Sequence, residues 1–141
     1  FNIYGPGEPS DRLIPYIVDC ALKGKEIKLT GCRQLRDFMY IDDLVNILYA
    51  ILTKPLLASK ESQVYNVGTG NAVQLKDLVL KVKSNLELRG IRSNIAFDAL
   101  PYRENDPMTC VANNTKLLNA LGGFNFTEVN VGIEKTLDSL I

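Results

Sequence analysis

Apolar positions along this chain change repeatedly between a period of two, typical of strands, and a period near 3.6, typical of helices. Strand patterns are predicted at 1–4, 26–30, 37–41, 63–67 and 95–97. Helical patterns are predicted at 15–23, 43–53, 75–86, 115–121 and 130–140. Strands that alternate with helices are typical of α/β proteins, so this is the fold class that the pattern predicts.

Capping residues and breakers set the limits of these elements. We expect Gly24 just past the end of the first helix, Asp42 at the N-cap of the second, and Asn114 at the N-cap of the fourth. Residues 54–62 are predicted to form a surface loop in which a proline ends the second helix. The segment 99–114 holds two prolines and few periodic apolar residues, so we expect an ordered loop there.

Length and composition suit one domain that spans residues 1–141. The chain has 46% apolar and 23% charged residues, as ordinary soluble proteins do. Its 16 basic and 16 acidic residues cancel, which argues against nucleic acid and an anionic membrane as partners. No apolar run reaches the roughly 18 residues of a membrane helix. The chain starts at Phe1 without a signal-peptide pattern, so we expect a cytoplasmic protein cut from a longer chain.

The residue types available for chemistry are restricted. There is no histidine, which excludes His-based triads, HExxH zinc sites and His general bases. Cys20, Cys32 and Cys110 are odd in number and widely spaced, which favours free thiols and lacks the CxxC spacing of metal sites. We therefore predict no metal site, and any acid or base would be Tyr, Lys, Asp or Glu.

Two glycines resemble part of a dinucleotide-binding fingerprint. Gly68 and Gly70 stand between a predicted strand and a predicted helix. However, the third glycine of the fingerprint would fall at Val73, and no acidic residue ends a following strand about twenty residues on. We therefore favour a structural turn that needs a positive φ over a cofactor site.

Two arginines are better candidates for a binding role. Arg36 stands where a turn enters a strand, and Arg103 lies in the irregular loop, three residues before Asp106. A guanidinium binds phosphate through two parallel hydrogen bonds, and a carboxylate accepts hydrogen bonds from ribose hydroxyls. The alternative is that each arginine belongs to a solvated surface ion pair, and spacing alone favours that alternative.

Three segments, taken in order, resemble a known family. FNIYGPGE (1–8), RDFMYIDD (36–43) and YNVGTG (65–70) resemble the C-terminal half of NAD-dependent sugar-nucleotide epimerases and dehydratases, which are extended short-chain dehydrogenase/reductases. The resemblance covers nearly all 141 residues. It implies a small mixed sheet with helices that forms the substrate-binding portion, with the N-terminal Rossmann half as a missing partner.

The same resemblance implies roles for individual residues. Asn2 would contact the sugar nucleotide, and Phe1 would lie close to the nicotinamide of the cofactor. Arg36 and Arg103 would contact the diphosphate, and Asp106 the ribose. The further substrate-binding positions that it implies are Arg12, Leu13, Leu29 and Asn66. Two positions depart from the family pattern, since Asn105 replaces the glycine of RxGD and Asn113 replaces the aspartate of ADxxK.

The resemblance also says which motifs lie outside this sequence. The GxxGxxG cofactor turn, the Ser/Thr and the YxxxK pair of the family lie upstream of FNxYGP, and no tyrosine here is followed by lysine four residues on. We therefore assign no catalytic residue and expect NAD or NADP in the full-length parent, with neither bound tightly by this chain alone. A sugar nucleotide is the expected ligand, and a homo-oligomer the expected assembly.

Two other functions stay open at this point. The chain could be a non-catalytic binding or interaction module of the same fold, or part of an extended reductase for a non-nucleotide substrate. Two arginines argue against the latter, because a neutral substrate needs no phosphate clamp.

Overall fold

The computed structural model describes residues 1–53 and 62–141. Five helices lie in these residues, α1 (Leu13–Leu22), α2 (Ile41–Thr53), α3 (Leu75–Leu88), α4 (Thr115–Leu121) and α5 (Val129–Leu140). The strands are β1 (Asn2–Tyr4), β2 (Glu26–Lys28), β3 (Leu35–Arg36), β4 (Phe38–Tyr40), β5 (Val73–Gln74), β6 (Asn94–Ala96) and β7 (Thr109–Cys110). The predicted α/β class is confirmed. None of the described helices is long and apolar enough to cross a membrane.

The strands form three small sheets, two of which share one segment of chain. β1 pairs with β4 in parallel, and β2 pairs with β6 in parallel. β3 lies between β5, which is antiparallel to it, and β7, which is parallel. Only Asp37 separates β3 from β4, so residues 35–40 run through two sheets without a turn. This segment places Arg36 opposite Cys110 and, two residues on, Phe38 opposite Asn2.

The larger core is formed by the apolar stripes of α1, α3 and α5 around β2. Pro15 lies in the first turn of α1, where its missing N–H costs no helical hydrogen bond. The deepest side chains of this core are fully buried, namely Ile17, Ile27, Val79, Val82, Leu86, Ile133 and Leu137. Burying one such side chain contributes about 1.5 to 3 kcal/mol, so these stripes account for the helices that the pattern predicted.

A smaller core connects β4 and α2 to α4. Met39, Ile47, Leu117 and Leu121 are buried together, and the rings of Phe124 and Phe126 pack at their edge. The opposite face of α2 is apolar yet exposed, at Val45, Leu48, Tyr49 and Leu52. α2 therefore buries one face inside the described structure and leaves a second apolar face uncovered.

Asp37 ties the YNVGTG turn to the sheets. Its carboxylate is fully buried and accepts hydrogen bonds from Thr69 N (2.9 Å), Thr69 Oγ1 (2.6 Å), Gly70 N (2.9 Å) and Ala112 N (3.1 Å). A Cβ on Gly68 would lie 2.7 Å from the Asp37 carboxylate and 2.6 Å from Ala112 Cβ, and Gly70 has a φ of +76°. The predicted positive φ is confirmed for Gly70, whereas Gly68 is required by the close approach of Asp37 and Ala112 and has no positive φ.

One predicted strand is absent, and three observed strands were not predicted. Residues 63–67 form no strand, although Tyr65 and Val67 pack against the smaller core. The alternating burial of these residues comes from this packing, since they lack the pairing that defines a strand. β7 lies inside the segment predicted as a loop, and β3 and β5 were not predicted either. All three have two residues, which is too short to show any period.

The helix limits agree in part. Gly24 has a φ of +63° just beyond α1, and Gly122 ends α4 with a φ of +74°. α2 begins at Ile41, so Asp42 lies in the first turn and the predicted N-cap was wrong. Asn114 precedes α4 as predicted, but its amide donates to Gly68 O (3.0 Å) and caps nothing. The three cysteines are free, as predicted. Most of the predicted loop 54–62 lies outside the described residues.

Candidate functional site

Two adjoining cavities lie between the start of α1 and the start of α3. Arg12, which precedes α1, Leu13 of α1 and Leu75 of α3 line both of them. Cavity A has a volume of about 410 Å³, and its other lining residues include Phe1, Asn2, Glu8, Arg36 and Phe38. Cavity B has a volume of about 540 Å³, and its other lining residues include Leu29, Thr30, Gln34, Leu100, Arg103 and Asp106. Together they offer a groove long enough for a ligand of two parts.

Arg36 is held in place where the two cavities meet. Its Nη2 lies 2.7 Å from Asp106 Oδ1, and its Nη1 donates to Leu35 O at 3.0 Å. The second carboxylate oxygen of Asp106 accepts from Gln34 Nε2 at 2.8 Å. The Arg36 side chain is only 13% exposed, so the solvated ion pair that spacing favoured does not describe it. The pairing of β3 with β7 brings these residues together across 70 positions.

The loop that carries Asp106 contains Asn105 at the position where the family pattern has glycine. Asn105 has a φ of +59°, in the left-handed region that glycine adopts freely. Asparagine is the next most tolerant residue there, which explains how it can replace glycine in this motif. Asp106 N donates to Arg103 O at 3.2 Å and closes the turn. The Arg103 side chain is exposed and lines cavity B.

The first two residues also line cavity A. Asn2 pairs with Asp37 through both its backbone N (2.9 Å to Asp37 O) and its side-chain amide (3.3 Å to the same oxygen). Phe1 is 45% exposed and lines this cavity. A flat apolar ring at an open cavity edge is a suitable surface for another planar group.

Seven of the eight predicted substrate-binding residues line the two cavities, and the structure separates Asn66 from them. The seven are Asn2, Arg12, Leu13, Leu29, Arg36, Arg103 and Asp106. Asn66 is exposed in a surface depression beside Asn113 and Lys116, and its amide donates to Asn113 O at 3.3 Å. Its substrate contact stays a prediction that the geometry does not support.

Sequence reasoning assigned no role to Glu8, Gln34, Leu75 or Leu100. Burial raises the pKa of Glu8 to about 7, and the positive charge of Arg12 opposes this only in part. Within residues 1–53 and 62–141, Oε2 of Glu8 is buried without a hydrogen-bond partner. Glu8 belongs to the segment FNIYGPGE, so its position was visible in the sequence, but its burial was not.

Three arginines line the groove, namely Arg12, Arg36 and Arg103. The other charged residues that line it are Lys28, Glu8, Asp11 and Asp106. Three guanidinium groups along one groove suit an anionic ligand with several oxygens, such as a diphosphate. Among the described residues, no group of three or more Cys, Asp or Glu side chains is placed to hold a metal ion.

Comparisons with known proteins agree with this geometry. Residues 1–68 match the model of the NAD dependent epimerase/dehydratase family. Over 140 residues the chain is 37% identical to CDP-abequose synthase of Salmonella typhimurium, covering 99% of this chain and 46% of that protein. MoeE5, solved in complex with UDP-glucuronic acid and NAD, is 28% identical with a TM-score of 0.80, covering 99% of this chain and 44% of that one. The chain belongs to the NAD-dependent epimerase/dehydratase family.

Family membership confirms the resemblance carried by the three motifs. TunA, described as an NAD dependent NDP-hexosamine 5,6-dehydratase, is 27% identical with a TM-score of 0.80, covering 99% of this chain and 43% of that one. The chain matches the C-terminal part of these extended short-chain dehydrogenase/reductases. It spans less than half the length of the relatives it matches.

Proposed function

We propose that this chain binds the nucleotide diphosphate part of a sugar nucleotide, as the C-terminal part of an NAD(P)-dependent epimerase/dehydratase. The observation that carries the proposal is Arg36, fixed by Asp106 where cavities A and B meet. A guanidinium that is already fixed loses little conformational entropy when it binds a phosphate. The motif roles point to the same ligand class, as do the relatives named for CDP- and UDP-linked sugars.

The two cavities differ in the groups they offer a ligand. Leu13, Leu29 and Leu100 give cavity B apolar walls for a planar base, while the amide and carboxylate of Gln34 and Asp106 face the ribose. The junction offers Arg12 and Arg36 to the phosphates. Cavity A then takes the sugar, beside Asn2. Binding energy collected along the nucleotide orients the sugar for the reaction.

The cofactor expected in the full-length protein fits the open end of cavity A. The exposed Phe1 ring lies there and can face a nicotinamide ring. NAD or NADP would supply hydride transfer, while the residues of this chain bind and orient the sugar. We expect no tight NAD binding by the 141 residues alone, and calorimetry that found micromolar affinity would contradict this.

CDP is the first nucleotide to test, because the CDP-abequose synthase match is 37% identical over almost the whole chain. Isothermal titration of the chain with CDP, UDP, dTDP and GDP should give saturable binding for at least one, and tightest for CDP. Cytidine without phosphates should bind far more weakly, since the arginines recognise phosphate. If cytidine binds as well as CDP does, the diphosphate proposal is wrong.

A further inference from the structure

Glu8 stands at the sugar end of the groove on a rigid support. It lines cavity A and also a smaller cavity beside the Gly5–Pro9 loop. The loop closes through a hydrogen bond from Glu8 N to Gly5 O (3.3 Å), and Gly5 is packed tightly against Ile41 and Tyr40. A side chain larger than hydrogen at Gly5 would collide with Ile41. The backbone of Glu8 is therefore held against the wall by both its turn and its packing.

The surroundings of Glu8 are unfavourable for a free carboxylate. One of its oxygens is buried and lacks a donor in the described part of the chain, and desolvation raises the pKa of the group. A buried polar atom without a partner costs about 1 to 3 kcal/mol. A solvent-exposed position would avoid this cost. Oε2 itself is closed to a ligand, so a ligand would contact Glu8 through the part of its half-buried side chain that lines cavity A.

The neighbouring groups indicate which kind of ligand group would complement Glu8 in cavity A. Asn2, Arg12 and Arg36 bring N–H donors to cavity A, and these suit phosphate and hydroxyl oxygens. A ligand group that donates a hydrogen bond favours the ionised form of Glu8, which only accepts, and so complements this residue. Hydroxyl groups of a hexose both donate and accept, and no cluster in the described residues suggests a metal ion in their place.

We propose that Glu8 recognises the sugar, by accepting a hydrogen bond from a hexose hydroxyl group in cavity A. The proposal rests on the proposed function, because it needs the nucleotide to direct the sugar into this cavity. It assigns to one residue the difference in affinity between a nucleoside diphosphate and its hexose conjugate.

The test compares CDP with CDP-glucose by calorimetry on the chain and on three variants. Glu8→Ala should leave CDP affinity within about twofold, while the extra affinity given by the hexose falls about tenfold or more. Glu8→Gln keeps one acceptor oxygen and should lose less of the extra affinity that the hexose gives. Glu134→Gln, which removes a charge on the exposed face of α5, should change the affinity for neither ligand.

A second series identifies the hydroxyl group. CDP-hexoses that lack one hydroxyl each should bind the wild-type chain more weakly at one position, and Glu8→Ala should be insensitive to that position. The role of Glu8 would be overturned if the hexose added the same affinity in the wild type and in Glu8→Ala. It would also be overturned if removing a hydroxyl group weakened binding equally in both proteins. Failure of every nucleotide to bind the wild-type chain would overturn the proposed function itself, which is a distinct result.

Discussion

Arg36 and Arg103 are the same residue type in opposite situations. Arg36 is largely buried, with its guanidinium bound to Asp106 and to Leu35 O, whereas Arg103 is exposed on a loop. A fixed guanidinium binds phosphate with a smaller entropic cost than a mobile one. We therefore rank Arg36 as the main diphosphate ligand and Arg103 as the second.

Replacing Arg36 should weaken nucleotide binding by a large factor. A hydrogen bond to a charged group contributes roughly 1.5 to 3 kcal/mol, so Arg36→Ala should reduce CDP affinity about tenfold to a hundredfold. Arg36→Lys should recover only part, because a point charge lacks the bidentate geometry. Arg103→Ala should cost less than Arg36→Ala. Calorimetry with CDP measures these affinities, and Arg92→Ala serves as a control at an exposed arginine. If folded Arg36→Ala bound CDP with unchanged affinity, the assignment of Arg36 as a phosphate ligand would be wrong.

Glu8 should make stability depend on pH in a defined window. Its folded pKa is about 7 against an ordinary 4.5, so the folded state binds the proton more tightly than the unfolded state does. Its contribution is therefore most favourable below pH 4.5 and is lost as pH rises through 7. Glu8→Gln should gain melting temperature over wild type at pH 8, and gain less at pH 4. If the difference in melting temperature between Glu8→Gln and wild type were the same at both pH values, the raised pKa of Glu8 would be contradicted. Glu134→Gln is the control for the loss of one negative charge.

Asp37 is a residue whose importance is structural. Its four accepted hydrogen bonds are all formed inside the protein, and removal of the carboxylate orphans three backbone N–H groups. Asp37→Ala should lower the free energy of unfolding by about 3 to 5 kcal/mol, as the loss of a buried charged partner does. Urea unfolding measures this. Asp98→Asn, which breaks only the exposed pair with Arg33, should cost under about 1 kcal/mol.

At the scale of elements, helices were predictable and the shortest strands were not. The stripe of Leu78, Val79 and Val82 predicts α3 because burial of one helix face leaves a period in the sequence. β3, β5 and β7 have two residues each and leave none. Their pairing depends on residues about 35 to 75 positions apart, as in Leu35 opposite Gln74 and Thr109.

The same limit applies to the site. Motifs pointed to Arg36, Arg103 and Asp106 separately, but the contact between Arg36 and Asp106 depends on β3 pairing with β7. Glu8 was visible as a residue of a motif, while its desolvation follows from tertiary packing. The sequence alone therefore predicted most of the candidate binding residues that line the groove, but it could not show which charged groups pair with each other.

At the scale of the whole molecule, the uncovered face of α2 is the feature that matters. Val45, Leu48, Tyr49 and Leu52 are exposed on it, and β1 and β4 form a sheet of only two strands with open edges. Exposed apolar faces and open strand edges promote association. Residues 63–67, which were predicted to form a strand, offer no strand edge for association, since no strand forms there.

We expect the chain to self-associate through α2 at high concentration. Leu48→Glu with Leu52→Glu should shift sedimentation towards the monomer, because charge on this face opposes its burial. The matched control, Leu88→Glu, changes an equally exposed leucine at the end of α3 and should leave the association unchanged. A wild-type chain that stays a compact monomer in concentrated solution, whatever the salt, would count against this prediction.

The continuous segment 35–40 has a consequence for protein engineering. It belongs to two sheets at once, so a one-residue insertion there would reverse every side chain on one side of it and break the register of either Arg36 with Cys110 or Phe38 with Asn2. Residues 98–106 are attached by the backbone hydrogen bonds of Ala99 N and Leu100 N to Leu29 O and by the hydrogen bond and ion pair of Asp106 with Gln34 and Arg36. A graft from relatives that aims at a new nucleotide preference should therefore be confined to the wall of cavity B around Leu100, with Asp106 and the 35–40 segment left untouched.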